Sequence, residues 1–363
     1  MRVLLVSLAR RGGMVHFHAE LANALARRIP VESLQSSSVP GSYLHADVAR
    51  ATVDTGTGPW SSLGAGINPG TWYRLWKELS QTRAELIHLT GTHPWNPMVG
   101  SVGRLLGKKL VYTVHDPEEH RGSPLSIRLS NLLTIGVAEA VVVLTRTGRQ
   151  QLLDRGIPAA KVHVIPHGIY EFFRQKGSPA IRSRKVVLYF GRFEPYKGIE
   201  VLVQAYGRIR QRFPAWRLVI AGAGGLPSGV VNRGGQGVEI HNGFLPDDSV
   251  ANLMRRARLV VVPYTEATQS GVIAAAYAFD RPVVATRVGG LAEMVQHGKT
   301  GLLVRPNDAG ALARAMRTLM GDPERLKQMA HNVRTLRRGR FQWDRIAQAH
   351  EALYARLLGE PTS

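Results

Sequence analysis

Five consecutive apolar residues, Val186 to Phe190, run into Gly191, then Arg192, and, five positions later, Lys197. Beyond Gly198 the apolar residues Ile199, Leu202, Val203 and Tyr206 recur at helical spacing. A short, unbroken apolar run followed by a helix reads as a strand buried on both faces, which is the property of a parallel sheet covered by helices. Glycine at the strand end lets backbone approach whatever occupies the space beyond it. Two cations there, beside a helix start, suit a phosphate or diphosphate. Taken singly, two cations such as Arg192 and Lys197 are more often solvated loop charges, and it is the whole phrase that points to a ligand.

The same alternation recurs along the chain. Val3 to Leu8 reads as a strand, Gly12-Gly13 as the turn, and His16 to Arg28 as a helix with Phe17, Leu21, Ala24 and Leu25 on one face. That is the first unit of a doubly wound sheet. It is not G-x-G-x-x-G, and no acidic residue stands where a ribose grip would need one, so a dinucleotide site is not expected. The glycines either face a ligand or serve helix packing. Strands at 86–90 and 110–114 lead to His93 and to His115-Asp116, and a further strand runs over 138–144. Side chains at the carboxyl ends of parallel strands point toward ligands. His115 has the strongest claim on chemistry, ahead of His88, His93 and His120. A metal site built from His115, Asp116, Glu119 and His120 lacks the helical pair of ligands such sites use, and no metal or other cofactor is expected. Later, strands at 216–222, 238–243 and 259–263 alternate with glycine turns and a helix over 250–257. A loop carrying Glu266, Thr268, Gln269, Ser270 and Gly271 then opens an alanine-rich helix whose unpaired N–H groups suit an anion.

The phrase Gly191-Arg192-x-x-x-x-Lys197-Gly198 after an apolar strand resembles the donor-phosphate motif of retaining GT-B glycosyltransferases of family 4. The run Lys161 to Gly168 resembles that family's signature at the end of the first domain, the strand-to-glycine stretch Trp216 to Gly225 resembles the second strand of its donor domain, and Gly289-Gly290 and Gly298 to Gly301 resemble its later turns. The resemblance implies an α/β chain with two Rossmann-like doubly wound domains facing across a cleft. Residues 1–168 would be the acceptor-side domain, 169–185 a linker and 186–340 the nucleotide-sugar donor domain, with a helix over 341–360 returning to the first. It implies catalytic roles for His115, Arg192 and Lys197. It implies donor binding by Gly12, Gly13, Gly191, Gly222, Glu266, Thr268, Gln269, Ser270 and Gly271. The family's two glutamates eight apart fall here on Ala267 and Ala275, so this chain departs from the pattern; Glu266 is one residue off, and nothing replaces the second carboxylate.

A length of 363 residues accommodates two domains, each with its own core. Zero cysteines exclude disulfides, thiolate zinc sites and a cysteine nucleophile. No apolar run of membrane-spanning length occurs, and the start reads as a first strand rather than a signal peptide, so a cytoplasmic location is expected. Against 26 Asp and Glu stand 47 Lys and Arg, a net +21, with a knot at Arg334, Arg337, Arg338 and Arg340. Such a balance draws a protein to polyanions. No nucleic-acid recognition motif is present, so the anionic inner face of a membrane is the expected partner. The helix over 72–81 offers Trp72, Tyr73 and Trp76 among Arg74 and Lys77, a face suited either to a membrane interface or to burial. The expected acceptor is a lipid-linked (polyprenyl-type) or free glycan, in cell-envelope or exopolysaccharide synthesis. Two alternatives stay open: a nucleotide-sugar epimerase, which would turn over without acceptor, and a non-enzymatic basic protein that binds RNA or lipid headgroups.

Overall fold

The computed structural model describes residues 1–56, 65–118, 124–231 and 237–360. His120 and Glu119 lie outside them. The chain divides into two compact units, Met1–Gly168 with Gln342–Ser363, and Ile169–Phe341.

The first unit carries a parallel sheet of β1 (Val3–Ser7), β2 (Val31–Ser36), β3 (Ala49–Val53), β4 (Leu86–Leu89), β5 (Lys109–Val114), β6 (Ala140–Val143) and β7 (Val162–Val164), ordered β3-β2-β1-β4-β5-β6-β7. Its helices are α1 (Gly13–Ala26), α2 (Pro69–Gln81), α3 (Asn96–Leu105), α4 (Leu125–Val137) and α5 (Arg146–Asp154). The alternation of β1 sorts its side chains into two layers. Val3 and Leu5 join Phe17 and Leu21 of α1 on one face, while Leu4 and Val6 join Leu75, Val99 and Ile135 on the other. Both faces are covered, as unbroken apolar strands require. The glycine pair stands at the very start of α1, with Gly12 as its cap at φ 84° and Gly13 as its first residue, so the helix begins earlier than its apolar spacing implied.

The second unit repeats the plan with β8 (Val186–Phe190), β9 (Arg217–Gly222), β10 (Val238–Asn242), β11 (Leu259–Val262), β12 (Val283–Thr286) and β13 (Gly301–Val304), all parallel, in the order β10-β9-β8-β11-β12-β13. Its helices are α6 (Ile199–Gly207), the short α7 (Ser228–Val231), α8 (Asp247–Arg256), α9 (Gly271–Ala278), the short α10 (Leu291–Met294), α11 (Ala309–Gly321) and α12 (Pro323–Arg337). Val187 and Tyr189 face α6 and α11, while Val186 and Leu188 face α8 and α9. The last helix, α13 (Trp343–Leu358), packs on α1 of the first unit through Trp343, Ile346, Leu353 and Tyr354.

Residues 169–185, expected to be a linker, are built into the second unit. Ile169, Tyr170 and Phe173 are buried in its core, and Gly177 N–H donates to Asp248 at 2.6 Å. The arginine knot also differs from its sequence reading. Arg334 and Arg337 both pair with Asp280, at 3.1 and 3.0 Å, and Arg337 also reaches Glu171 at 2.8 Å. Arg340 donates to the Glu293 carbonyl. These side chains tie α12 to its own unit, so much of the knot is structural rather than open to a polyanion. Among the described residues no helix is long and apolar enough to cross a membrane.

Candidate functional site

In each unit the strand order reverses direction once, between β1 and β4 and between β8 and β11. Crevices beyond the carboxyl ends of strands at such a reversal are where open α/β sheets take ligands. Most of the residues singled out in the sequence stand at these two places.

In the second unit the segments leaving β8 and β11 are locked together. Gly198 has φ 67°, and a Cβ there would lie 2.0 Å from the Pro263 carbonyl oxygen, so only glycine permits this approach. Thr265 N–H donates to the Tyr196 carbonyl at 2.8 Å. Lys197, half-buried in the turn Pro195–Lys197, holds its Nζ 3.7 Å from the centroid of the Tyr264 ring and 4.8 Å from that of Tyr196. A cation over an aromatic face is worth about 0.5–2 kcal/mol, more as water is excluded. Tyr264 is buried, and burial raises its hydroxyl above the usual phenol range. It lies next to Gly191, whose ideal Cβ position is 3.8 Å from the Tyr264 hydroxyl. Arg192 differs in character: its side chain is 70% exposed and pairs with Glu194 at 3.2 Å. An exposed pair of this kind is held by about 0–1 kcal/mol and yields readily to a better anion.

Gly222, expected to let a ligand close to backbone, is required by a backbone neighbour. With φ 152° its Cβ would fall 1.7 Å from the Gly191 carbonyl oxygen. The glycine thus sets the end of β9 against the Gly191 turn. The loop before α9 brings Thr268 and Ser270 into buried positions, and Ser270 caps the helix by accepting from Ile273 N–H at 3.4 Å. The side-chain carbonyl oxygen of Gln269 is buried without a hydrogen-bond partner. Such an atom costs about 1–3 kcal/mol when left unpaired, and a ligand donor would recover that. Glu266 is exposed on the same loop. Ala275, at the position of the missing second carboxylate, is buried in the core of the unit, where an unpaired charge would be costly. The departure from the family pattern is thus matched by an apolar environment.

In the first unit, His115 follows β5 and is buried. Its Nε2–H donates to the Thr90 carbonyl at 2.9 Å, and the Phe17 ring meets it edge-on at 4.9 Å. Burial holds the imidazole below its ordinary pKa, so it is neutral near pH 7. With Nε2 donating, Nδ1 is the acceptor of the neutral ring. Gly12 and Gly13 are exposed at the amino end of α1, beyond the end of β1. Two of the other histidine candidates are structural by their contacts. His88 bridges Tyr354 hydroxyl and Thr113 at 2.6 and 2.7 Å in the core. His93, pushed down to about 4 by burial, accepts from Trp95 N–H at the start of α3. Among the described residues no cluster of His, Asp or Glu could hold a metal ion.

Tyr264 is the residue of this site that sequence reasoning missed. The signal was present, an aromatic two positions past the end of β11, but an aromatic beside a proline is read first as packing.

Comparison with known proteins accounts for nearly the whole chain. Residues 11–170 match Glycosyltransferase Family 4, and residues 184–322 match Glycosyl transferases group 1. A glycogen synthase of Mycobacterium tuberculosis is 30% identical over 75% of this chain and 69% of its own length. An exopolysaccharide phosphotransferase of Streptomyces coelicolor is 33% identical over 66% of this chain, which spans 26% of that protein. The crystal structure of Anabaena Alr3699/HepE in complex with UDP and glucose superposes with a TM-score of 0.77 at 20% identity, covering 98% of this chain and 99% of that one. Two parallel sheets ending in glycine turns, a cationic turn after β8 and these matches lead to one assignment: the chain belongs to the family 4, group 1 glycosyltransferases, retaining enzymes of the GT-B fold.

Proposed function

We propose that the protein moves a sugar from a nucleotide-sugar donor, a UDP-sugar in the first instance, to a lipid-linked or other glycan acceptor in cell-envelope or exopolysaccharide synthesis. The observation that carries this reading is the Lys197 ammonium held over Tyr264 at the β8–β11 reversal of the second unit, with Arg192 in the same turn. Negative charge grows on the departing diphosphate as the sugar becomes oxocarbenium-like. Lys197, Arg192 and the N–H groups at Ser270-Gly271 stabilise that charge, and preorganised groups of this kind are commonly worth a few kcal/mol each. Gln269 accepts from a donor hydroxyl, with Thr268 and Glu266 beside it. Gly191 and Gly222 keep the turn bare of side chains, while Gly12 and Gly13 present amide N–H groups to the phosphates. His115 accepts a sugar hydroxyl through Nδ1. Transfer with retention on one face of the sugar needs no pair of catalytic carboxylates, in keeping with alanine at 267 and 275. The choice of uridine follows Anabaena HepE, which binds UDP-glucose in its crystal structure.

The enzyme works at the cytoplasmic face of the cell membrane, attached peripherally. Supporting this are the net charge of +21 and the α2 helix, where Leu75 and Leu79 are buried but Tyr73 and Trp76 are 64% and 52% exposed.

Thermal-shift measurement against UDP-, GDP- and ADP-sugars tests the donor. A true donor at about a hundred times its dissociation constant adds roughly 2.7 kcal/mol of stability. At saturating donor, Arg192→Ala and Lys197→Ala each lower turnover by about a hundredfold or more with the fold intact. Near wild-type turnover in either variant would remove that residue from the site.

A further inference from the structure

We infer that α3 and α4 of the first unit form the face by which the protein docks on an anionic bilayer. Helix α4 is built inside out. Its buried side is largely polar: Ser130 donates to the His93 carbonyl at 2.8 Å, and Asn131 accepts from the Tyr112 hydroxyl at 2.5 Å. Its outward side is a stripe of leucines, Leu125, Leu129, Leu132 and Leu133, spaced as one helical face and between 48% and 78% exposed. Helix α3 lies against it, with Arg104 donating to the Val137 carbonyl at 2.8 Å, and adds exposed Met98 and Leu105. Scattered apolar residues on a surface need no explanation, but a stripe of this extent does.

Charge selects the occupant. Neither helix contains an acidic residue, and each carries an exposed arginine, Arg128 and Arg104, the latter paired with Glu139 at 3.4 Å just past the end of α4. A second copy docked symmetrically on α4 would bring equivalent arginines together, whereas an anionic bilayer meets leucines with acyl chain and arginines with phosphate. At 13 residues α4 is too short to span, so it lies in the plane of the interface. The inference deepens the peripheral-membrane reading above, rests on it for the identity of the partner, and names a contact element distinct from α2.

Sedimentation of the full chain with vesicles of phosphatidylglycerol and phosphatidylcholine, against phosphatidylcholine alone, tests it. Binding is expected to the anionic vesicles and to weaken at high salt. Leu129→Ser/Leu133→Ser lowers vesicle affinity at least about tenfold with unchanged melting temperature, since both residues are exposed. Tyr73→Ser/Trp76→Ser is the comparison. If that variant loses binding while Leu129→Ser/Leu133→Ser keeps it, the docking face is α2: this inference fails and the membrane reading stands. If the wild-type chain ignores anionic vesicles, both fail. If it is a dimer that Leu129→Ser/Leu133→Ser converts to monomer without loss of vesicle binding, the face is a self-interface and the inference is overturned.

Discussion

Lys197 is legible in the sequence by its spacing from Arg192, but the group that holds it is not. The ring of Tyr264 comes from a different βα loop, 67 positions away, and only the parallel pairing of β8 with β11 brings the two together. Replacing that ring tests whether it positions the ammonium. Tyr264→Leu removes the aromatic face and lowers kcat at saturating donor by about tenfold, the equivalent of about 1.4 kcal/mol of cation–π attraction. Tyr264→Phe keeps the ring and stays near wild type. Equal losses in both would assign the effect to the hydroxyl. Arginines 334 and 337 carry the opposite lesson, since a cluster of like charge reads as open to polyanions until a partner distant in sequence appears. Asp280 is 54 and 57 positions away, and its left-handed backbone, at φ 58°, belongs to a turn that no periodicity announces.

At the scale of elements, buried parallel strands were the easiest to read, because residues covered on both faces leave unbroken apolar runs such as Val186–Phe190 and Leu259–Val262. Helix starts were harder. Gly12 and Gly13 looked like a loop, yet they open α1, because glycine adopts the capping geometry without a side-chain bond. The segment 169–185 looked like a linker because its apolar residues Ile169, Tyr170 and Phe173 are too few and irregular to show a period, although each is buried. Helix α4 was passed over in reading the sequence; which of its sides faces water depends on Tyr112 of β5 and on the loop after β4 that holds His93. The terminal helix is an element whose importance the sequence understates. Trp343 is buried against Phe17 and sits so close to Gly168 that a Cβ on that glycine would be 2.3 Å from the indole. Trp343→Ala therefore destabilises the first unit by about 3–5 kcal/mol, readable as an earlier transition in urea, while the second unit melts unchanged.

Over the whole molecule the two units differ in how they carry histidine. His18, His88, His115, His167 and His350 are all buried in the first unit, and burial depresses each of them. His18 and His167 are held at about 3 and His350 at about 4, against an ordinary value near 6.5. A depressed histidine is neutral when folded and takes a proton more readily when unfolded. Its full contribution is therefore present above about pH 6.5 and is lost as the pH falls toward the folded value. At pH 5.5 each of His18, His167 and His350 costs about 1 kcal/mol of stability relative to pH 7. Calorimetric scans between pH 7.5 and 5 should show the transition of the first unit moving down steeply, and amide exchange should place the early opening at β1, β4 and α13. A transition that is flat over that range would mean these side chains are already hydrated in the folded protein.

The order of synthesis gives the returning helix a further consequence. The ribosome releases residues 1–168 first, yet the core they contribute stays unfinished until Trp343–Leu358 follows, because Tyr354 must still meet His88 and Leu353 must still cover the sheet. Everything the second unit needs arrives in between as one uninterrupted stretch, and its two ends are already joined by the hydrogen bond from Ile169 N–H to the Phe341 carbonyl at 3.2 Å. The later-made half can thus close on itself while the earlier-made half still waits. A nascent chain stalled before residue 343 would leave the face around Phe17 and His88 open to chaperones and to other chains.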